Sequence, residues 1–131
     1  TLNEGVNMVF ECLNKNIGGE IFIPKIPSYR ITDISEAVAP SCKLKIIGLR
    51  PGEKLHEEMI TSSDSFSTID LGNYYVILPS DGRLHPFYSK EVKGAVENGF
   101  SYSSDKNDHF LSVEEIRNLI KFNLYNDFKP L

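Results

Sequence analysis

The chain has 131 residues, of which 40% are hydrophobic and 24% are charged, and its formal net charge is −4. This length suits one hydrophobic core and is short for two ordinary domains, and the composition gives no reason to expect extensive disorder. The acidic balance argues against nucleic acid or an acidic membrane surface as the main partner, and no apolar stretch approaches the length of a membrane-spanning helix.

The first segment is predicted to form an amphipathic helix over residues 2–17. Its apolar side chains recur at steps of three and four residues and predict one buried stripe of Leu2, Val6, Val9, Phe10, Leu13 and Ile17. Thr1 and Glu4 have the spacing of a capping box, and two glycines at 18–19 end the helix. Because the chain starts at such a helix and without methionine, we expect it to be a piece of a longer polypeptide.

The next elements predict an α/β unit with parallel strands, in the order helix, strand, helix, strand. The first strand is expected over residues 20–23 and the second over residues 43–49, where apolar residues alternate. Between them, Thr32 is expected to cap a helix that ends at Pro40.

The remaining elements are less regular. We expect a short helix over residues 54–60, because Leu55 and Met59 are four residues apart, and two strands over residues 67–78 around a Gly-Asn turn. Residues 80–107 are rich in loop signals and contain no assignable element. A final helix starts at the capping box of Ser112 and Glu115 and carries Val113, Ile116, Leu119 and Ile120 on one face, and residues 127–131 form a tail.

The two cysteines, Cys12 and Cys42, do not belong to a CxxC pair, so a buried thiol is expected at each rather than a disulfide or a metal site. His56, His85 and His109 lack the spacing of a zinc site and are assigned solvated or structural roles. In the absence of a signal sequence at the start of the chain, we expect a cytoplasmic location.

The candidate site is the turn that begins the stretch RPGEKLHE at residues 50–57. A guanidinium offers a planar fork of donors that matches phosphate oxygens, and a carboxylate accepts hydrogen bonds from hydroxyl groups such as those of a sugar. Arg50 and Glu53 could therefore hold a nucleotide by two different groups. The alternative interpretation, a surface ion pair on a β-turn, is equally compatible with the spacing.

Other polar positions and motifs are weighed as possible ligand contacts. Lys25, Tyr29 and Arg30 follow the first strand and could reach a ligand, but we favour the interpretation that Tyr29 and Arg30 cover the following helix. The YxxxK pattern of Tyr102 and Lys106 is rejected as a site, because it lies in a polar loop and no Gly-rich turn precedes it. The chain also has no GxGxxG after a strand, so it should not bind a dinucleotide by that motif.

Three motifs carry a family resemblance: GEIFIPKIPS at residues 19–28, ITDI at residues 31–34 and IIGLRPGEKLHE at residues 46–57. In this order they resemble the C-terminal part of UDP-N-acetylglucosamine 4,6-dehydratases of the polysaccharide and flagellin-sugar biosynthesis type, which are extended short-chain dehydrogenases. The stretch FLSVEEI at residues 110–116 resembles the end of that family.

The resemblance implies a C-terminal substrate lobe, spanning residues 1–131, with short strands and flanking helices and without the N-terminal Rossmann domain. It implies that Arg50 holds the diphosphate of a UDP-sugar and that Glu53 accepts from the ribose hydroxyls. NADP and the catalytic residues would belong to the absent domain, so the chain by itself would have no catalytic, cofactor-binding or metal-binding residue. The expected partners are the UDP-sugar, the chain's own Rossmann domain and further copies in a homo-oligomer, with no nucleic acid and no membrane.

Two alternatives remain open. The chain could be the lobe of a related nucleotide-sugar epimerase or reductase, because an arginine and an acid that hold the nucleotide say little about the sugar. It could also be a non-catalytic assembly module, in which the apolar face of the first helix packs on a partner chain.

Overall fold

The computed structural model describes residues 1–80, residue 88 and residues 94–131. Within them, the helices are α1 (Leu2–Lys15), α2 (Ile31–Val38) and α3 (Val113–Asn123), with a short 3-10 helix at Asp64–Ser67. The strands are β1 (Ile21–Pro24), β2 (Glu58–Ile60), β3 (Thr68–Asp70), β4 (Tyr74–Ile77), β5 (Gly94–Ala95) and β6 (Tyr102–Ser103). This is an α/β fold of short strands with flanking helices, which confirms the predicted fold class.

The chain divides into two compact units. The first unit contains Thr1–Lys25 and Glu58–Ser103, and the second contains Ile26–Glu57 and Ser104–Leu131. Each unit is therefore built from two separate segments of the chain, and the segments of the two units alternate along the sequence. None of the helices in the described residues is long and apolar enough to cross a bilayer.

The first unit is built on an antiparallel sheet with the strand order β1-β4-β3-β5. The hairpin of β3 and β4 was predicted, and its turn places Gly72 at a φ of 91°, a backbone conformation that glycine adopts without strain. The core of this unit contains a cluster of the buried residues Ile69, Tyr74, Val76 and Tyr88. Alternation along β4 buries Tyr74 and Val76 on one face, as expected for a half-buried strand.

Helix α1 forms as predicted, but its apolar stripe is exposed. Thr1 and Glu4 make both bonds of the capping box, with the Thr1 hydroxyl accepting from the main-chain N–H of Glu4. The six stripe residues retain exposed fractions between 44% for Val6 and 85% for Leu2, and the helix has no buried residue. The prediction of a buried stripe was therefore wrong for this chain, because periodicity shows which face of a helix is apolar and not whether another element covers it.

Glu20 joins the end of α1 to β1. Its carboxylate accepts from the main-chain N–H groups of Ile17 at 3.1 Å and Gly18 at 2.7 Å, and from the Tyr88 hydroxyl at 3.0 Å. Burial by itself would raise the pKa of Glu20, but these hydrogen bonds outweigh it and lower that pKa. Burial, together with the Glu20 carboxylate, raises the pKa of Tyr88.

In the second unit, α2 packs against α3. The residue that precedes α2 is Arg30, and no side chain caps the helix; Thr32 lies inside its first turn, where its hydroxyl contacts the Asp33 carboxylate at 3.4 Å. The prediction that Thr32 caps this helix was wrong, because α2 begins at Ile31. The capping box of α3 is present as predicted, but of its apolar face only Ile116 is fully buried.

The parallel strands were not found. Residues 43–49 have no regular secondary structure, and the strand ladders in the described residues are antiparallel. Among residues 1–80, 88 and 94–131, parallel pairing is limited to an isolated bridge between Ser28 and Phe110. Apolar alternation made residues 43–49 strand-like, but a strand also needs a partner, which no described residue supplies.

Two further expectations were wrong. Residues 58–60, assigned to a short helix, form β2, because pairing with β6 outweighs a weak i, i+4 pattern. The Cys42 thiol is exposed and Cys12 is half-buried, and both cysteines are free. Residues 94–95 and 102–103, in the segment without assigned elements, form β5 and β6, while most of residues 81–93 lies outside the described residues.

Candidate functional site

The Arg50 turn lies in the second unit, in an exposed stretch between α2 and β2. The main-chain N–H of Glu53 donates to the carbonyl of Arg50 at 3.0 Å, and Gly52 has a φ of 86°, so the chain reverses tightly here. The glycine is required for this turn, since other residues rarely adopt such a φ.

The turn brings the two candidate side chains together. The Arg50 Nε lies 2.9 Å from Glu53 Oε1, and the main-chain N–H of Arg50 donates to Glu53 Oε2 at 2.7 Å. The carboxylate therefore holds both the guanidinium and the main chain of the same arginine. This contact orients the arginine with respect to the turn.

Both side chains remain open to solvent, with exposed fractions of 75% for Arg50 and 42% for Glu53. Arg50 makes no hydrogen bond or ion pair with any other described residue. Its two terminal nitrogens are thus available for two oxygens of a phosphate, and the carboxylate oxygens of Glu53 retain lone pairs for hydroxyl donors. The geometry is compatible with nucleotide binding and also with a surface ion pair, so the binding roles of both residues stay a prediction.

The stretch that carries the turn is attached at its downstream end. The main-chain N–H of Ser104 donates to the carbonyl of Glu57 at 2.8 Å, and the N–H of Glu57 donates to the Ser104 hydroxyl at 3.1 Å. Upstream, the N–H of Cys42 donates to the carbonyl of Ala39 at 3.1 Å. Sequence reasoning missed Ser104, because a serine 47 residues from its partner has no local signal.

Lys25 belongs to the first unit and has a structural partner. Its ammonium lies 2.6 Å from the Asp70 carboxylate and 4.3 Å from the centre of the Tyr75 ring. Burial is the main cause that raises the pKa of Tyr75. Asp70 and Tyr75 also line a cavity of about 450 Å³ with residues 94–100, and this cavity contains neither Arg50 nor Glu53.

Arg30 lies 3.7 Å from the Asp33 carboxylate of α2 and 4.8 Å from the centre of the Phe110 ring. This agrees with the interpretation that it covers the following helix. Tyr29 is 52% exposed.

The YxxxK pattern and the possible metal ligands, which were rejected as sites, can also be located in the structure. Tyr102 lies in β6 with its ring against Tyr75, and Lys106 lies in a bend of the chain, so the pair does not share a helix face as the dehydrogenase chemistry requires. Among the described residues, no group of three or more His, Cys, Asp and Glu side chains could hold a metal ion. His85 lies outside the described residues.

The fold and the turn define an α/β protein with an exposed arginine–carboxylate pair, and a solved structure shares its architecture. The chain superposes on the X-ray structure of Pen from Bacillus thuringiensis with a TM-score of 0.77 and 32% sequence identity, over 95% of this chain and 38% of the other. A family model described as polysaccharide biosynthesis protein matches residues 1–79. The chain belongs to this family of polysaccharide biosynthesis proteins.

Several curated relatives match most of the chain, and two of them illustrate the range of reactions. A UDP-N-acetylglucosamine 4,6-dehydratase (inverting) from Campylobacter jejuni serotype O:2 is 46% identical over 128 residues, which cover 92% of this chain and 38% of the relative. A UDP-glucose 4-epimerase from Rickettsia canadensis is 32% identical over 126 residues, which cover 92% of this chain and 36% of the relative. The chain thus spans less than two fifths of the length of these relatives.

Proposed function

We propose that residues 1–131 form the C-terminal UDP-sugar-binding lobe of a UDP-N-acetylglucosamine 4,6-dehydratase that acts in polysaccharide or glycan biosynthesis. The observation that carries the proposal is the Arg50–Glu53 turn, where the two side chains meet at 2.9 Å and remain exposed. The 46% identity to the Campylobacter jejuni dehydratase supports the choice of reaction.

In this proposal the turn binds the nucleotide and not the reacting sugar carbons. The guanidinium of Arg50 presents its terminal nitrogens to the diphosphate, and the Glu53 carboxylate accepts from the ribose hydroxyls. Glu53 also holds the arginine in place before the substrate arrives, which reduces the ordering that binding must impose. Binding energy from the nucleotide then holds the sugar in a reactive orientation.

The chemical groups of the reaction belong to the rest of the intact polypeptide. There we place an N-terminal Rossmann domain, the tightly bound NADP that accepts and returns a hydride, and the acid and base that eliminate water from the sugar. The 131 residues by themselves are then inactive and contribute recognition. The cytoplasmic location and the homo-oligomeric state remain predictions of the same proposal.

The first test is Arg50→Ala in the intact polypeptide, with the affinity for UDP-N-acetylglucosamine measured by calorimetry. Loss of a charge-assisted bidentate contact costs about 1.5–3 kcal/mol, so binding should weaken about 10- to 150-fold. Lys54→Ala is the matched control, because it removes a positive charge from the same exposed stretch without removing the guanidinium. If Arg50→Ala binds within twofold of the parent protein, the binding role of Arg50 is wrong.

A related nucleotide-sugar epimerase is the second candidate, and it is favoured by the 32% identity to the Rickettsia canadensis epimerase. The two reactions differ in mass balance. A 4,6-dehydratase releases one water from each sugar, whereas a 4-epimerase returns a product of unchanged mass. Mass spectrometry of the product of the intact enzyme therefore separates them.

A further inference from the structure

Residues 43–49, which we call the exposed segment, carry large apolar side chains into solvent. Ile46 is 96% exposed and Ile47 is 73% exposed. Leu44 and Leu49 are 62% and 60% exposed. Single exposed apolar residues are ordinary on a protein surface, but four within seven consecutive residues form a patch that is expected to be an interaction site.

The main chain of the exposed segment has no hydrogen-bond partner within the described part of the chain either. No main-chain or side-chain hydrogen bond joins residues 43–49 to another described residue. Its sequence, KLKIIGL, has the composition and alternation of a strand. A strand-like segment whose N–H and C=O groups are open is a template for the addition of another strand.

We infer that the exposed segment forms a strand with a strand of the same intact polypeptide that lies outside these 131 residues, and that this pairing fixes the Arg50–Glu53 turn. The relatives support this occupant, because the matched region is only 38% of the Campylobacter jejuni dehydratase. The larger part of such a protein is available to supply the missing strand.

A second copy of the chain is a poorer occupant. Lys43 and Lys45 lie in the exposed segment, so self-pairing would bring four lysines into one two-stranded ribbon. Like charges on paired strands are destabilising. A strand from elsewhere in the polypeptide is under no such constraint.

The pairing has a consequence for the candidate site, and this part rests on the proposed function. Leu49 directly precedes Arg50. Among the described residues, the stretch is attached downstream of the turn through Glu57 and Ser104, and its nearest upstream hydrogen bond is that of Cys42 to Ala39, before the exposed segment begins. A paired strand up to Gly48, whose φ of 77° suits a bulge, would hold the upstream end as well. The turn would then be held on both sides before the substrate binds.

Amide hydrogen exchange in the intact polypeptide tests the pairing directly. We expect amides within residues 43–47 to exchange at least 100-fold more slowly than those of residues 54–56, which lie in the same exposed stretch beyond the turn. Equal, fast exchange in both stretches would overturn the inference. Protection that also appears in the isolated 131-residue chain and rises with its concentration would overturn it in favour of a second copy.

Ile46→Pro in the intact polypeptide tests the consequence for the site. Proline removes a main-chain donor and disfavours a paired strand, so the affinity for UDP should fall at least tenfold. Ile46→Val is the control, since it keeps the donor and the strand propensity, and its affinity should stay within twofold. Unchanged affinity in Ile46→Pro would overturn the link between the strand and the turn.

These experiments distinguish a failure of the strand pairing from a failure of the proposed function. If residues 43–47 are protected while Arg50→Ala leaves the binding of UDP-N-acetylglucosamine unchanged, the strand pairing stands and the binding role of Arg50 in the proposed function is wrong. If Arg50→Ala weakens binding while residues 43–47 exchange freely, the proposed function stands and the strand pairing is wrong.

Discussion

Glu115 and Glu4 each accept hydrogen bonds from the residue that caps their helix. The Glu115 carboxylate accepts from the main-chain N–H of Ser112 at 2.8 Å and from its hydroxyl at 2.7 Å. These bonds hold the pKa of Glu115 below its ordinary value. At the scale of single residues, this capping carboxylate couples the stability of α3 to pH.

Glu115→Gln should reduce the acid sensitivity of the fold. A carboxyl with a lowered pKa in the folded state stabilises the fold above its unfolded pKa of about 4.3, and this contribution is lost as the pH falls through the folded pKa. The parent chain should therefore be more stable than the variant at pH 6.5, and the difference should shrink toward pH 2.5. Urea unfolding at several pH values measures this difference.

Glu114→Gln is the control for this measurement, because it removes the same charge from the first turn of α3 without removing a capping bond. If Glu115→Gln and Glu114→Gln show the same pH profile, the capping carboxylate is not the cause.

The candidate site shows which contacts between single residues can be predicted from the sequence. Arg50 and Glu53 were found from the sequence because their contact is local, three residues apart on a turn that Gly52 permits. The contact of Lys25 with Asp70 was not predicted from the sequence, because 45 residues separate the two and no local pattern indicates which carboxylate the lysine contacts.

At the scale of elements, α2 and α3 are joined by one arginine. The Nε of Arg117 donates to the carbonyl of Ala37 at 3.2 Å, and its Nη2 donates to the carbonyl of Glu36 at 3.0 Å. These carbonyls belong to the last turn of α2, where no helical N–H is left to pair with them. The guanidinium of Arg117 therefore caps the C-terminal turn of α2 and links this helix to α3.

Arg117→Ala should lower the free energy of unfolding by about 1–2 kcal/mol, because two carbonyls lose a charged donor at a partly exposed site. Thermal unfolding followed by circular dichroism measures the loss. Asn118→Ala is the matched control on the exposed side of α3 and should change stability by less than about 0.5 kcal/mol. A loss equal to that of Asn118→Ala would contradict the role of Arg117.

Local patterns predicted some elements and misled on others. Capping boxes identified α1 and α3, and a Gly-Asn turn identified the hairpin of β3 and β4, because these signals are complete within a few residues. The pattern at residues 54–60 was misleading, because β2 exists only through its pairing with β6, more than 40 residues further along the chain.

At the scale of the whole molecule, the 131-residue chain exposes apolar surface on α1 and on residues 43–49. We expect it to bind the dye ANS, which reports accessible apolar surface. Phe10→Ser combined with Leu13→Ser should reduce the fluorescence, because these side chains are 62% and 66% exposed. Asn7→Ser and Asn14→Ser are control substitutions on the same helix and should leave it unchanged.

Dye binding equal in the parent chain and in the Phe10→Ser, Leu13→Ser variant would contradict the exposure of this face. Near-ultraviolet circular dichroism of both proteins provides the folding control, since a loss of tertiary packing would itself raise dye binding.

The fold class followed from the resemblance of the sequence motifs to a known family. The sequence by itself also determined the caps of α1 and α3, the β3–β4 hairpin and the Arg50–Glu53 turn. Each depends on contacts between residues close along the chain, which a local pattern records. Only the tertiary structure decided that the strands pair antiparallel, that residues 58–60 form a strand and that the apolar face of α1 is open. These depend on which distant segment supplies a partner, and hydrophobic periodicity carries no such information because burial is non-directional.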